Sequence, residues 1–115
     1  MENCLFCKIV KKEIPSKLVF EDENLMAFHD ITPQAPIHIL VIPKVHRESL
    51  LALREGEDDR LMVHLMGAVK RIAREKGVDA KGFRLVANTG RNGGQTVSHL
   101  HFHLLGGREM TWPPG

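Results

Sequence analysis

Seven residues near the C-terminus, His99-Leu100-His101-Phe102-His103-Leu104-Leu105, alternate imidazole with apolar side chains. Alternation with a period of two is the pattern of a β-strand. On such a strand His99, His101 and His103 share one face, and Leu100, Phe102 and Leu104 the other. The apolar face is expected to pack on a core. The imidazole face is expected to lie open to a ligand, with neighbouring rings roughly 6.5 Å apart, twice the rise per residue. A lone strand histidine is commonly structural. Three in strict alternation are harder to bury, because each ring needs its own polar partner. The row therefore points to chemistry: metal chelation by His-x-His, or nucleophilic and electrostatic work on a phosphate.

The remaining sequence limits the setting. A chain of 115 residues is enough for a single domain, 1–115, with one core. Hydrophobic residues at 43% and charged residues at 26% are ordinary for a globular protein, and a net charge of +2 gives no argument for nucleic acid or a membrane surface. No apolar run reaches the length of a membrane span, and Met1-Glu2-Asn3-Cys4 lacks the basic and apolar regions of a signal peptide. A cytoplasmic location is expected. In a reducing compartment Cys4 and Cys7, the two cysteines, read as metal ligands, a redox pair or plain thiols. A zinc site would need two further ligands.

Lys8 to Glu13 is read as a short helix stopped by Pro15. Lys17 to Glu21 and Leu25 to Phe28 read as strands, the second ending in His29-Asp30. An acidic residue there is commonly just solvated, but it could take a ribose hydroxyl pair. Ile37 to Ile42, closed by Pro43, is read as a central strand that carries His38 on the face of Leu40 and Ile42. His46 follows the strand's end. Ser49 to Leu53 suggests a second short helix. Leu61, Leu65, Val69 and Ile72 recur at helical spacing and define a long helix over about 58–76, with Gly77 at its C′ position and His64 as a structural residue at its edge. Phe83 to Ala87 is a further strand. The glycine-rich loop Asn88 to Thr96 matches neither a Walker loop nor a dinucleotide fingerprint, but its Gly-Gly allows close backbone approach to a ligand. Trp112, beside two prolines, is expected to dock on its own subunit or on a partner.

Together these pieces resemble a known family. His99 to Leu105 matches the His-φ-His-φ-His-φ-φ signature of the histidine triad (HIT) superfamily. Phe28-His29-Asp30-Ile31, Pro33-Gln34-Ala35-Pro36, Val41-Ile42-Pro43-Lys44, Gly93-Gly94-Gln95 and Trp112-Pro113-Pro114-Gly115 resemble its Hint branch, the histidine triad nucleotide-binding proteins. The resemblance spans nearly the whole chain. It implies an α+β, HIT-like fold: a five-stranded antiparallel sheet with one long and one short helix, two subunits joining their sheets into ten strands. It also implies binding of purine nucleoside monophosphates, and hydrolysis of adenosine phosphoramidates and aminoacyl adenylates.

Carried over by position, His101 is the nucleophile that forms a covalent nucleotidyl-histidine, its other ring nitrogen held by a backbone carbonyl. His103 and His38 contact the phosphate. Thr96 stands where the family has a serine thought to assist the leaving group. Asn88, Gly94 and Val97 match loop contacts to the phosphate, and Ile14, Phe28, His29, Asp30 and Ile31 match the ribose and base site. Trp112 would reach the partner subunit's site. Ser98 departs from the tyrosine often found before the first triad histidine. The resemblance further implies a structural zinc on Cys4, Cys7, His46 and His99, with no cofactor needed for catalysis. Three rivals stand beside this reading: a Fhit-like dinucleoside polyphosphate hydrolase, a non-catalytic purine-nucleotide-binding protein, and a metallohydrolase using all three triad histidines as ligands.

Overall fold

A computed structural model of the chain describes residues 3–115. The elements run α1 (Leu5–Val10), β1 (Leu18–Glu21), β2 (Leu25–His29), β3 (Ile37–Pro43), a 3-10 turn (Leu50–Ala52), α2 (Asp59–Glu75), β4 (Phe83–Ala87) and β5 (Phe102–Gly106). The strands form one antiparallel sheet in the order β1-β2-β3-β5-β4. The expected α+β architecture is present: five strands, one long helix and one short one. Among the described residues no helix is long and apolar enough to cross a membrane.

Both faces of the central strands are covered, which is why β2 and β3 read as almost unbroken apolar runs. Leu25, Ala27, Ile39, Val41, Phe102 and Leu104 point to one side, where α2 lays Leu65, Ala68, Val69 and Ile72 on them. Full burial of each such Leu, Ile or Val contributes about 1.5–3 kcal/mol, enough to hold α2 whatever its intrinsic propensity. Gly77 ends α2 at φ +72°, the left-handed position for which glycine is suited. Met26, Phe28, Leu40 and Ile42 point to the other side and meet Phe6 and Ile9 of α1. The triad histidines belong to this second face.

Three local expectations need correction. The N-terminal helix covers Leu5–Val10, not Lys8 to Glu13. Cys4 caps it by accepting the Cys7 N–H at Sγ (3.3 Å), and this placement turns Phe6 and Ile9 onto the sheet. Ser49 to Leu53 makes only a single 3-10 turn capped by the Ser49 hydroxyl. The histidine strand begins at Phe102, after two of its three histidines. Its pairing with β3 stops at Phe102–Val41, two residues short of the Pro43 level, and Pro43 has no N–H to donate to a ladder. The Leu100 N–H goes instead to the Arg47 carbonyl at 2.7 Å. Side chains still alternate, but the imidazole face is not open: His99 is fully buried and His101 is 4% exposed.

Candidate functional site

Around His101 and His103 the hydrogen bonds assign a tautomer to each ring. His101 donates its Nδ1–H to the His99 carbonyl at 2.7 Å, which leaves Nε2 as a free base. The Gln34 N–H donates to His38 Nδ1 at 3.0 Å, so the His38 proton sits on Nε2. That Nε2–H donates to His103 Nδ1 at 2.8 Å, and the His103 proton is left on its outward Nε2. Asp30 Oδ2 stands 3.4 Å from His38 Nε2, while Oδ1 accepts the Thr32 N–H at 2.8 Å. Burial, reinforced by His101 and His38, pushes the His103 pKa down to about 4 against the pull of Asp30. Burial also lowers that of His38. The site therefore sets the unpaired Nε2 of His101 beside the neutral N–H donor of His103, with ring centroids 5.0 Å apart.

These two histidines line a cavity of about 320 Å³. Its walls are largely apolar, lined by Phe28, Leu40 and Val97 together with Phe6, Ile9 and Ile14; His29, Asp30 and Thr96 supply polar groups. Burial, with Lys76 and Lys17 nearby, lowers the His29 pKa. The glycine-rich loop beside the cavity is held by its own side chains. Asn88 Nδ2 donates to the Gly93 carbonyl at 2.6 Å, Gln95 Oε1 accepts the Gly90 N–H at 2.9 Å, and Gln95 Nε2 donates to the Glu48 carbonyl at 2.6 Å. A Cβ at Gly93 would collide with the Thr89 carbonyl, and Gly94 takes φ +75°, so both positions need glycine.

A second cluster lies on the far side of His99. The Nδ1 atoms of His46 and His99 are 3.2 Å apart, Cys4 Sγ is 3.4 Å from His99 Nδ1, and Cys7 Sγ is 3.3 Å from His46 Nδ1 and 3.6 Å from His99 Nδ1. A tetrahedron with nitrogen about 2.0 Å and sulfur about 2.3 Å from its centre has edges of roughly 3.3–3.8 Å, so the four donors fit a tetrahedral zinc ion. His99 donates its outer Nε2–H to the Pro43 carbonyl at 2.9 Å, which turns the Nδ1 lone pair inward as a metal ligand requires. Burial and the neighbouring Cys4 push the Cys7 thiol up to about 11, so ionising it calls for a cation at this spot.

Of the residues singled out from sequence, Ile14, Phe28, His29, Asp30, Ile31, Thr96, Val97, His101 and His103 share the cavity. His38 stands behind His103, and Cys4, Cys7, His46 and His99 meet in the cluster. Asn88 and Gly94 lie in the adjoining loop. Trp112 is 83% exposed and does not dock on its own subunit. His64, read as structural, pairs with Asp22 at 2.6 Å. The three triad histidines do not form one ligand set, because His99 faces the thiols while His103 faces His38. Three residues were given no role by sequence reasoning: Gln34, whose backbone N–H fixes a ring; Gln95, which staples the loop; and Phe6, which lies against His101. Gln34 and Gln95 lay in segments that carry the family resemblance, and Phe6 between two cysteines, but none of these signals named a role.

Comparison with known proteins agrees with this geometry. Residues 11–110 match the HIT domain family. The chain is 50% identical over 113 residues to adenylylsulfatase HINT1 of Arabidopsis thaliana, a match covering 96% of this chain and 76% of that protein. It is also 50% identical over 115 residues to a 14 kDa zinc-binding protein of Brassica juncea, covering 98% and 100% of the two chains. A HIT family hydrolase from Legionella pneumophila superimposes with a TM-score of 0.95 at 50% identity, over 98% of this chain and 100% of that one. The chain belongs to the HIT family.

Proposed function

We propose that the protein hydrolyses adenosine 5′-phosphoramidates and aminoacyl adenylates through a covalent nucleotidyl-His101 intermediate. The observation that carries this reading is the Nε2 lone pair of His101, left free by the Nδ1–H bond to the His99 carbonyl in the lining of an apolar cavity. The base would lie between Phe28, Ile31, Ile14 and Val97, and Asp30 would accept the ribose hydroxyls. His101 Nε2 attacks the α-phosphorus, and the bond from phosphorus to the leaving amine nitrogen, or to the carboxylate oxygen of an aminoacyl adenylate, breaks. His103 Nε2–H stabilises the charge on a non-bridging oxygen. His38 acts through His103, holding its proton outward. An amine cannot leave as an anion, so the Thr96 hydroxyl delivers a proton to it and regains one from the water that attacks in the second step. Water then cleaves the phosphorus–Nε2 bond and releases AMP. Asn88 and Gly94 shape the loop over the phosphate.

A second reading rests on the Arabidopsis relative, which is named an adenylylsulfatase. The same His101 attack would expel sulfate from an adenylylsulfate. Sulfate leaves without a proton, so Thr96→Val separates the two: it should slow phosphoramidate hydrolysis about tenfold or more and leave adenylylsulfate hydrolysis near the native rate. Incubation with adenosine 5′-phosphoramidate, following AMP release, tests the reading directly. Turnover that vanishes in His101→Ala supports it. A folded, AMP-binding protein with no turnover overturns it in favour of a binding protein, and a preference for diadenosine polyphosphates would move it to the Fhit-like class.

Zinc, when bound at Cys4, Cys7, His46 and His99, would cross-link the N-terminal segment to the end of β3 and to the triad segment. The Brassica relative named as zinc-binding and the donor geometry support zinc binding here. The homodimer is also part of the proposal. β4 ends the sheet, so its outer edge can pair with a second copy, and Phe83 on it is 39% exposed. Trp112, exposed on its own subunit, is then free to reach the partner. Sedimentation measurements would test the dimer.

A further inference from the structure

We infer that Phe6 and His99 couple the Cys4–Cys7–His46–His99 cluster to the nucleotide cavity, so that metal binding at the one raises nucleotide affinity at the other. The inference rests on the nucleotide-binding function proposed above.

His99 serves both sites with different atoms. Its Nδ1 points at the thiols and at His46, and its Nε2–H is tied to Pro43. Its carbonyl accepts the Nδ1–H of His101. Whatever fixes the His99 ring therefore also fixes the carbonyl that sets the tautomer and orientation of His101.

Phe6 makes the second connection. In sequence it lies between the two cysteines. In space its ring stands edge-on to His99, His101 and Phe28, at centroid distances of 5.9, 5.0 and 5.6 Å. Phe6 is 4% exposed, and with Leu5 and Ile9 it forms one wall of the cavity. The helix that carries both thiols is thus itself part of the nucleotide site.

That helix has six residues, far below the roughly 12–15 at which an isolated helix becomes even marginal in water. Beyond the local Cys4 cap it is held by tertiary attachment: the burial of Phe6 and Ile9, and the contacts of the two thiols with His46 and His99. Ligation through Cys4 and Cys7 to two sheet-side histidines would add the strongest of these attachments. Loss of that ligation loosens the cavity wall and the ring against His101 together. Because coupling between binding sites is reciprocal, a nucleotide that orders the same wall must tighten metal binding by the same factor.

The test is a thermodynamic cycle. AMP is titrated calorimetrically into zinc-loaded and into chelator-treated protein, and zinc affinity is measured against a chromophoric chelator with and without saturating AMP. Zinc should lower the AMP Kd about tenfold, and AMP should lower the zinc Kd by the same factor. Phe6→Ala retains all four ligands; both factors should fall toward one while zinc still binds. Equal AMP affinity in the two forms overturns the coupling and leaves the proposed function standing. Failure of zinc-loaded protein to bind AMP overturns both. Factors that persist undiminished in Phe6→Ala overturn the route through that ring.

Discussion

Two donor clusters flank the triad segment, and they differ in the direction of their outer hydrogen bonds. In the cluster of Cys4, Cys7, His46 and His99, the His99 ring donates outward to the Pro43 carbonyl and turns a lone pair inward. In the cluster of Asp30, His38 and His103, the His38 ring accepts from the Gln34 N–H and turns a proton inward. Both groups hold donors within 4.8 Å of one another. For His38 to ligate a metal through Nε2, its proton would have to move to Nδ1, head-on to the Gln34 N–H. That change forfeits a hydrogen bond worth about 1 kcal/mol and leaves an unsatisfied donor costing about 1–3 kcal/mol more. The outer hydrogen bonds suit the first cluster to a cation and the second to protons. A backbone carbonyl in one case and a backbone N–H in the other make the difference between similar sets of side chains.

The separation is broken most severely at His101. His101→Ala should cut turnover at least about 10³-fold, the scale on which loss of a nucleophile acts, while zinc content per chain stays at the native value. A mutant that loses its zinc as well would show that the two clusters are not separable. The opposite substitution is Cys7→Ser, which should lose zinc and lower Tm by about 10 °C. A metal at several hundred times its Kd contributes about 3–4 kcal/mol, and each kcal/mol moves Tm by roughly 3–4 °C for a chain of this size. Turnover at saturating nucleotide should survive in Cys7→Ser, with KM raised. Metal analysis, thermal melts and steady-state kinetics on the two proteins decide the matter.

The contrast also explains what could be read from the sequence. The ligand set Cys4, Cys7, His46 and His99 came from the family resemblance, and the donors do converge. The period-two alternation correctly separated Leu100, Phe102 and Leu104 from the histidines, because side-chain alternation survives even where the ladder is lost. The start of the strand was not legible. It depends on Pro43 lying across from Leu100, a register that only the folded sheet defines. The role of Gln34 was not legible either, and the resemblance implied a backbone carbonyl on the second ring nitrogen of His101 without saying which, since every residue carries a backbone N–H or C=O and only tertiary placement selects the one that acts.

Gln34 gives a finer test of the proton network. Gln34→Pro removes the N–H that fixes His38, since proline has none to donate. With Nδ1 released, His38 can take the other tautomer and no longer holds the His103 proton outward. The expected result is about a tenfold fall in kcat, equivalent to about 1.4 kcal/mol of transition-state stabilisation, with unchanged zinc affinity and an unchanged far-ultraviolet dichroism spectrum. Unaltered kcat would mean that the Gln34 bond is packing and not control.

The smallest expected effect is on stability as a function of pH. The fold holds His103 neutral, its pKa pushed from 6.5 down to about 4 chiefly by burial. Burial also lowers His38 and His29. An unfolded chain takes up protons at these rings near the ordinary value of about 6.5, so between the two values the unfolded state binds more protons than the folded one. The contribution to stability is fully present above about pH 6.5 and is lost as the pH falls toward about 4. Carboxylates held low by basic partners, Glu21 by Lys12 and Lys44 and Asp58 by Arg47, lose their contributions at lower pH. The window from about pH 6.5 to 4 therefore belongs mainly to the histidines. Thermal melts should be run in the zinc-free Cys7→Ser background, where release of metal by protonated ligands cannot add to the slope. Tm should be flat from pH 8 to 7 and fall by a few degrees across the window, and His103→Gln, which cannot be protonated there, should flatten the fall. An equal slope in both proteins would show that the buried second cluster tolerates a charge, against the neutral network inferred from its hydrogen bonds.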